Sequence, residues 1–269
     1  MDLAMSCSSL SLLFFISLHI HFLVPTSDEF LLFLECAPYD CGDQQISYPF
    51  RHKKQPNHCG YVGYELGCED DRVILSMKSL EYRVIHMDRS TQILKVARMD
   101  LLDGICLGTR VNTTLDFSLF SSTFSDRNST LFYNCDSFST SLPYEFSCPP
   151  SQNGYFVLDA DLIEEPIKLC SSGVFVFISR EALGLLPPPM QGGDHGANIS
   201  EVLNQGFEIT WIADTSQCEN CNNSGGRCGY DWTRQEFNCF CHDGAYPRIC
   251  NVPSGLYAYS NLICVCQFS

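Results

Sequence analysis

The chain has 269 residues, of which 45% are hydrophobic and 17% are charged, so it is long enough to bury a sizeable core and too apolar to stay disordered. Acidic residues outnumber basic ones by 31 to 16, for a formal net charge of −15, which argues against nucleic acid as a partner because nucleic acid is itself a polyanion. The 17 cysteines are more than a chain in a reducing compartment usually carries. We therefore expect an exported protein that is held together by disulfides.

Residues 1–27 predict a signal peptide with cleavage near Ser27. Residues 10–24 form an apolar run of the length expected for the hydrophobic part of such a segment. The run is shorter than the roughly 20 residues that a membrane-spanning helix needs. The residues before it include Asp2 and no Lys or Arg, which is unusual for a signal peptide and leaves a buried core helix as the alternative. The prediction is a secreted, extracellular protein, with membrane association only through a longer isoform or a partner.

Residues 36–110 predict a small antiparallel β module. Three segments there are rich in β-branched and aromatic residues, with polar breaks between them. They are residues 73–75, 82–85 and 92–96.

A β-rich continuation follows over residues 111–190 and contains Cys135, Cys148 and Cys170. Two apolar segments within it are interpreted as buried strands, residues 155–158 and 173–178. The predicted fold class is therefore mainly β: a disulfide-rich extracellular protein of two small cysteine-rich modules.

The end of the continuation is marked by turn-forming residues. Residues 179–186 predict two helical turns that a run of prolines ends, and the glycine-rich residues 191–197 predict a hinge at a module boundary. Residues 198–250 form the predicted C-terminal module, and residues 251–269 form a tail. This module is expected to open with a brief helix and a half-buried strand, residues 199–205 and 206–212.

Fourteen of the cysteines fall into two groups that a gap of 47 residues separates. Both groups have an even number of members, so each can pair internally, with four and three bridges. The pairing stays open, because eight cysteines allow 105 connectivities and six allow 15. Cys7 leaves with the signal peptide, and no pairing is predicted for Cys264 and Cys266. The first group is Cys36, Cys41, Cys59, Cys68, Cys106, Cys135, Cys148 and Cys170; the second is Cys218, Cys221, Cys228, Cys239, Cys241 and Cys250.

The second cysteine group has an alternative interpretation as a zinc site. Cys218 and Cys221 have zinc-ligand spacing, and Cys239, Cys241 and His242 follow them. In an exported chain, however, six crowded cysteines are typical of an EGF-like disulfide module. We expect disulfides here and no bound metal.

Two patterns could in principle indicate an enzyme. A nucleophilic cysteine needs a free thiolate, which paired cysteines do not provide. The acidic residues Asp159, Asp161, Glu164 and Glu165 could supply a glycosidase carboxylate pair, but neighbouring acids in a loop are usually a solvated surface. The prediction is a protein without catalytic activity.

Four Asn-x-Ser/Thr triplets are present, and in an exported chain each is a predicted N-glycosylation site on exposed backbone. They begin at Asn112, Asn128, Asn198 and Asn222.

Four short motifs follow one another in the first module: Cys41-Gly42, Ile46-Ser47-Tyr48-Pro49-Phe50, Cys59-Gly60-Tyr61 and Tyr64-Glu65-Leu66-Gly67-Cys68. In order and spacing they resemble the galacturonan-binding module of plant wall-associated receptor kinases. The resemblance covers residues 36–106, weakly in its later part, and Tyr64 stands where that family usually has Phe.

The second cysteine group resembles the C-terminal module of the same receptors, in particular the leaf-rust-resistance-locus type of receptor-like kinase. That family continues into a transmembrane helix and a Ser/Thr kinase. This sequence has no Gly-rich phosphate loop, H-R-D or D-F-G stretch, so no kinase domain is expected. Residues 251–269 depart from the family and resemble a truncated or alternatively spliced end.

The resemblance implies binding of a pectic polysaccharide, galacturonan, in cell-wall sensing or defence signalling. Aromatic rings and cations of the first module fit an acidic sugar, because rings cover its apolar faces and cations bind its carboxylates. The same residues also fit a plain structural role, with the rings in the core and the cations on a solvated loop. The candidate ligand-binding residues are Tyr48, Tyr61, Tyr64, Arg51, Lys53 and Lys54.

Charge restricts such a ligand to the first module. Residues 36–110 contain ten basic and ten acidic residues, whereas residues 111–269 contain six and 17. A calcium ion that bridges protein and ligand is left open, and no other cofactor is predicted. The acidity favours an alternative function as a protein-interaction module, a decoy or co-receptor fragment that recognises a peptide or another receptor ectodomain.

Overall fold

The computed structural model describes residues 28–136, 144–150, 152–159, 170–188 and 193–251. The predicted signal peptide, most of the predicted tail with Cys264 and Cys266, and the acidic residues Asp161, Glu164 and Glu165 lie outside the described residues.

The described part of the chain is mainly β, as predicted. The α-helices are α1 (Asp28–Glu35), α2 (Gly196–Asn204) and α3 (Ser216–Asn223), and short 3₁₀ helices cover Asn57–Cys59, Met99–Leu101 and Glu181–Leu185. The strands are β1 (Tyr39–Cys41), β2 (Gln44–Ile46), β3 (Arg51–His52), β4 (Glu65–Glu69), β5 (Arg72–Met77), β6 (Leu80–Asp88), β7 (Ile93–Arg98), β8 (Phe120–Ser122), β9 (Asp126–Cys135), β10 (Glu145–Cys148), β11 (Gln152–Leu158), β12 (Cys170–Ser179), β13 (Phe207–Trp211), β14 (Arg227–Asp231), β15 (Glu236–Cys241) and β16 (Gly244–Tyr246).

The largest sheet has seven strands in the order β3-β4-β5-β6-β7-β13-β8. Its pairs are antiparallel except for β3 with β4. One face is apolar because alternate side chains along each strand point to the same side. Leu66, Leu75, Tyr82, Val96 and Phe207 on that face belong to one buried cluster.

Strand β13 comes from the C-terminal half of the chain, yet it lies between β7 and β8. The predicted boundaries at residues 110 and 198 therefore separate segments of sequence that share one sheet. Pairing with β7 on one side and β8 on the other gives the backbone N–H and C=O groups of β13 their hydrogen-bond partners. If β13 folded only with its neighbours in sequence, these groups would stay unpaired.

A second sheet of four antiparallel strands has the order β10-β11-β9-β12. Helix α2 buries Ile199, Val202 and Leu203 in the core of this sheet. The ten-residue strand β9 lies in a Ser-, Thr- and Phe-rich segment for which the sequence indicated no strand. Its burial alternates irregularly, and this masks the period of two that identifies a strand.

The turn-rich region before the C-terminal module differs from the prediction. The two expected helical turns over residues 179–186 form a 3₁₀ helix, Glu181–Leu185. Gly196 and Ala197, at the end of the predicted hinge, are the first residues of α2.

The C-terminal module combines α3 with the three-stranded sheet β14-β15-β16 and packs against the first module. Trp232 Nε1 donates a hydrogen bond to the carbonyl oxygen of Gly60 at 3.0 Å. A Cβ atom at Gly229 would lie 2.4 Å from the backbone oxygen of His58, so only glycine allows this approach of the two modules.

All fourteen cysteines between Cys36 and Cys250 are paired, within the two groups that the spacing predicted. The C-terminal module therefore has no thiolates for the alternative zinc site. The pairs are Cys36–Cys59, Cys41–Cys68, Cys106–Cys148, Cys135–Cys170, Cys218–Cys228, Cys221–Cys239 and Cys241–Cys250.

None of the described helices is both long enough and apolar enough to cross a membrane.

The loop that each disulfide closes predicts how much it stabilises the fold. Cys106 and Cys148 are 42 residues apart and Cys241 and Cys250 are nine apart. Because a longer loop loses more entropy in the unfolded chain, replacing the first pair by serines should cost about 4 kcal/mol and the second about 3 kcal/mol. Denaturant unfolding of both double variants measures the two costs, and a larger cost for the shorter loop would contradict the prediction.

Two carboxylates meet where the two larger sheets join. Asp126 accepts hydrogen bonds from the backbone N–H of Glu208 at 3.0 Å and from Thr123 Oγ1 at 3.3 Å. Glu208 accepts one from Ser125 Oγ at 2.7 Å. Burial, and to a lesser degree the charge of Glu208, raises the pKa of Asp126 to about 6 against the opposing hydrogen bonds.

This raised pKa predicts a pH-dependent stability. The folded protein holds the Asp126 proton more tightly than the unfolded chain, so stability should fall as pH rises from about 4 to about 6. Asp126→Asn should flatten that fall and be more stable near neutral pH by on the order of 1 kcal/mol. Denaturation curves at several pH values test this, with exposed Asp70→Asn as the control. Parallel profiles for Asp126→Asn and wild type would contradict it.

Candidate ligand-binding groove

The predicted aromatic residues of the first module are mostly core residues. Tyr64 is fully buried, and its hydroxyl donates to the carbonyl oxygen of Leu119 at 2.5 Å. Tyr48 is 7% exposed, and its ring packs edge-on against Phe237. Both rings are therefore part of the core, as the structural interpretation expects, and each leaves little exposed surface on which a sugar could stack.

Tyr61 is the half-buried member of the set. The centre of its ring lies 4.5 Å from that of Tyr230 in the C-terminal module. It therefore joins the modules and leaves only part of its surface to solvent.

Arg51 is also a structural residue, although its charge suggested a ligand contact. The side chain is buried, forms an ion pair with Glu65 and donates to Asn57 Oδ1 at 2.9 Å and to the Gln55 carbonyl oxygen at 2.8 Å. Its guanidinium carbon lies 5.9 Å from the ring centre of Trp232. These partners use the donors that a carboxylate ligand would need.

Lys53 and Lys54 are exposed beside the buried His52. Lys53 forms a loose ion pair with Glu69 at 3.5 Å. His52 stacks on Tyr39 with 3.8 Å between ring centres, and its Nδ1 accepts the backbone N–H of Lys54 at 3.1 Å. Burial, and then the charges of the two lysines, lower the pKa of His52, which favours the neutral form of its ring. The lysines alone remain available from the predicted basic cluster.

These positions predict different effects of removing each cation. Arg51→Gln should cost about 2 kcal/mol of unfolding free energy, because it breaks several buried hydrogen bonds. Lys53→Gln and Lys54→Gln should each change it by less than about 0.5 kcal/mol. Denaturant unfolding with the disulfides intact measures all three, and a neutral Arg51→Gln would show that Arg51 has no structural role.

A polar groove lies between the two modules and has a volume of about 620 Å³, within the usual range for small-ligand sites. One wall is the turn between β6 and β7 with the segment around Tyr48, and the other is formed by α3 and the residues before it. A smaller hollow of about 350 Å³ continues it and shares five lining residues, Ser47, Tyr48, Arg89, Cys218 and Asn222.

The turn that carries Arg89 is held by the side chain of Asp88. Asp88 Oδ1 accepts from the backbone N–H and the hydroxyl of Ser90, at 2.8 and 2.6 Å, and these bonds lower the pKa of Asp88 to about 2. Gln92 Nε2 donates to the carbonyl oxygen of Ala213 at 3.0 Å. The turn is therefore fixed both internally and to the chain that follows β13.

Arg89 is the cation that lies in both parts of the groove. It is exposed and donates one hydrogen bond to the carbonyl oxygen of Gln45. Arg227 lines the smaller part, but it donates to the carbonyl oxygens of Phe33 and Leu34 and its guanidinium carbon lies 4.0 Å from the Phe33 ring centre. Arg89 has donors left for a ligand, whereas Arg227 is largely committed to α1.

The charges divide the groove into two halves. Asp214 and Glu219 line the larger part only, and bonds from Ser216 lower the pKa of Asp214. No carboxylate lines the smaller part among the described residues, where both arginines lie. An anionic group is therefore favoured in the smaller part of the groove, beside Arg89 and Arg227, and a hydroxyl-rich neutral group fits the larger part.

The described residues offer few groups for metal binding or nucleophilic catalysis. The clusters with metal-ligand spacing are Cys36 with His58 and Cys59, and a group of three C-terminal cysteines, Cys239, Cys241 and Cys250. All of these cysteines are in disulfides, which removes their thiolates. Glu35, at 3.1 Å from the His58 imidazole, is its partner in an ion pair when the ring is protonated, but burial lowers the pKa of His58.

Sequence reasoning missed Arg89, the central cation of the groove. It stands alone in a turn, without a neighbouring base or aromatic residue to attract attention. The sequence feature that could have identified this region is the Asp88-x-Ser90 pattern, which is typical of a turn held by an Asp side chain. That pattern predicts a rigid turn, but it does not predict which part of the fold lies opposite the turn.

The fold and the groove define a disulfide-stabilised β protein with a cleft, lined mainly by polar residues, between two modules. Residues 36–98 match the family model described as wall-associated receptor kinase galacturonan-binding, and residues 145–244 match the one described as wall-associated receptor kinase C-terminal. Over these two regions the chain is therefore similar to the two ectodomain modules of wall-associated receptor kinases. The groove is lined by residues of both matched regions, Arg89 from the first and Asn222 from the second.

Curated relatives of the chain come from Arabidopsis thaliana. The chain is 30% identical over 224 residues to leaf rust 10 disease-resistance locus receptor-like protein kinase-like 1.2, covering 79% of this chain and 33% of the relative. It is 30% identical over 229 residues to the kinase-like 1.3 protein, covering 83% and 31%. The kinase-like 2.5 protein is 26% identical over 261 residues, covering 88% and 37%. The chain thus spans about a third of the length of these relatives, and no solved structure matches it.

Proposed function

We propose that this protein is a non-catalytic binding module for pectic polysaccharide, that it works outside the cell and faces the cell wall, and that it serves cell-wall sensing or defence signalling. The match of residues 36–98 to the galacturonan-binding family is the observation that carries the proposal. The relatives' names describe receptor-like protein kinases, which supports a role on the sensing side of such a receptor.

The groove between the modules is the proposed site. Galacturonan is a chain of sugar carboxylates, and a guanidinium binds a carboxylate through two parallel hydrogen bonds. Arg89 is exposed with donors to spare, and Ser90 and Gln92 line the same cleft with groups that suit sugar hydroxyls. We assign the carboxylate to the smaller part of the groove, beside Arg89, because acidic side chains line only the larger part.

The exposed lysines of the first module are a separate candidate contact. Lys53 and Lys54 do not line the groove, so a long polysaccharide would contact them outside it. A bridging calcium ion stays a prediction for this ligand, and repeating the binding titration in a chelator tests it.

The central test is calorimetric titration of the glycosylated protein with oligogalacturonides. Arg89→Gln should weaken binding about tenfold, because it removes one charge-assisted contact, and should reduce the salt dependence of the affinity. Arg72→Gln is the matched control, since Arg72 is an exposed arginine of the same module that pairs with Asp70 and lies outside the groove.

The outcomes separate the site from the function. Unchanged affinity in Arg89→Gln with a loss in Lys53→Gln/Lys54→Gln would move the site to the lysines. No heat from the folded wild type at millimolar ligand would remove the polysaccharide function altogether.

A second candidate function is recognition of a peptide or another receptor ectodomain. Exposed apolar side chains near the Tyr64 end of the large sheet favour it: Phe117 is 72% exposed and Ile212 is 55% exposed. The two residues lie near each other, because the carbonyl oxygen of Leu119, two residues after Phe117, accepts the backbone N–H of Ile212 at 3.1 Å. A pull-down from wall extracts with wild type and Phe117→Ser would detect such a partner, and a glycan array would distinguish it from a sugar.

A further inference from the structure

One of the four predicted glycosylation sites lies in the groove. Asn222 begins the triplet Asn222-Asn223-Ser224 and belongs to the last turn of α3. It is exposed and lines both parts of the cleft, together with Arg89. Its side-chain amide contacts only the two sulfurs of one disulfide, Cys218 Sγ at 3.6 Å and Cys228 Sγ at 3.4 Å, so attachment of a sugar there would break no strong hydrogen bond.

The other three sites lie elsewhere. Asn112 accepts the backbone N–H of Phe175 at 2.9 Å, and Asn198 donates to the carbonyl oxygen of Leu185 at 3.5 Å. Asn128 is exposed in β9 of the four-stranded sheet. None of the three is among the residues that line the groove, so a glycan at these positions extends from other surfaces.

We propose that an N-linked glycan on Asn222 covers the groove and limits access of large solutes to Arg89. An N-linked glycan is bulky and flexible, and its attachment point stands on the wall that faces the Arg89 turn. A cleft of about 620 Å³ is small beside such a glycan. The inference builds on the proposed function because it regulates the same site, and a glycosylated protein would then select short or end-on acidic oligosaccharides over long chains.

The first test needs no oligosaccharide ligand. Phenylglyoxal modifies exposed arginine guanidinium groups, and peptide mass spectrometry gives the rate at Arg89 separately. The protein is produced with high-mannose glycans and compared before and after an endoglycosidase trims each glycan to one sugar, which leaves the sequence unchanged. We expect Arg89 to react severalfold faster after trimming, whereas Arg72, outside the groove, keeps its rate.

Two variants assign the effect to one glycan. Asn222→Gln should make Arg89 react as fast as in the trimmed protein, and Asn128→Gln, which removes a glycan from another surface, should not. Ser224→Ala is a poorer choice, because Ser224 Oγ donates to the carbonyl oxygen of Cys221 at 2.8 Å and accepts the backbone N–H of Cys250 at 2.9 Å. An unmodified Asn222 in the intact protein, or equal Arg89 rates with and without its glycan, would overturn the proposal.

A second measurement separates this inference from the proposed function. If both hold, trimming or Asn222→Gln raises the affinity for long oligogalacturonides more than for the trimer. If no form of the folded protein binds any acidic oligosaccharide, the polysaccharide function fails, while slower Arg89 labelling in the glycosylated protein still supports a glycan cover. Equal gains for all ligand lengths would contradict size selection by the glycan.

Discussion

The pairing of β13 with β7 and β8 is the interaction on which the candidate site depends. Residues about a hundred positions apart share this ladder, with Phe207 opposite Val96 and Trp211 opposite Phe120. The backbone N–H of Trp211 also donates to the carbonyl oxygen of Gln92 at 3.2 Å. Because main-chain hydrogen bonds hold the register, the chain that leaves β13 must place α3 opposite the turn that carries Arg89. The groove is a consequence of that placement.

Disulfides stabilise the fold of the small C-terminal module that follows β13. Its buried cluster consists largely of cysteines, among them Cys221 and Cys239, which are fully buried and bonded to each other. A module of this size has too little apolar surface for a stable core, so cross-links that restrict the unfolded chain replace part of that core. Contacts such as the Trp232 hydrogen bond to Gly60 then fix it against the first module.

Two arginines of the first module illustrate how context decides a role. Arg51 stands in a conspicuous basic cluster but is buried among Gln55, Asn57 and Glu65, so its donors are used within the fold. Arg89 stands alone in sequence, and its one partner in the described structure is the carbonyl oxygen of Gln45. Both side chains end in the same guanidinium group. They differ in how many of its N–H donors remain after the contacts within the fold are made, and the local sequence does not indicate that number.

Sequence alone determined the fold class, the two cysteine groups, the family resemblance and three of the seven strands of the first module, β5, β6 and β7, because these depend on composition, spacing and local periodicity. It also located the Asn222 triplet. Tertiary structure decided that Tyr48 and Tyr64 are core residues, that β13 completes the first sheet and that Asn222 shares a groove with Arg89. These features depend on pairing and packing between residues far apart in the chain, and neither the alternation of side chains along a strand nor the spacing of a motif specifies which distant segment a residue will meet.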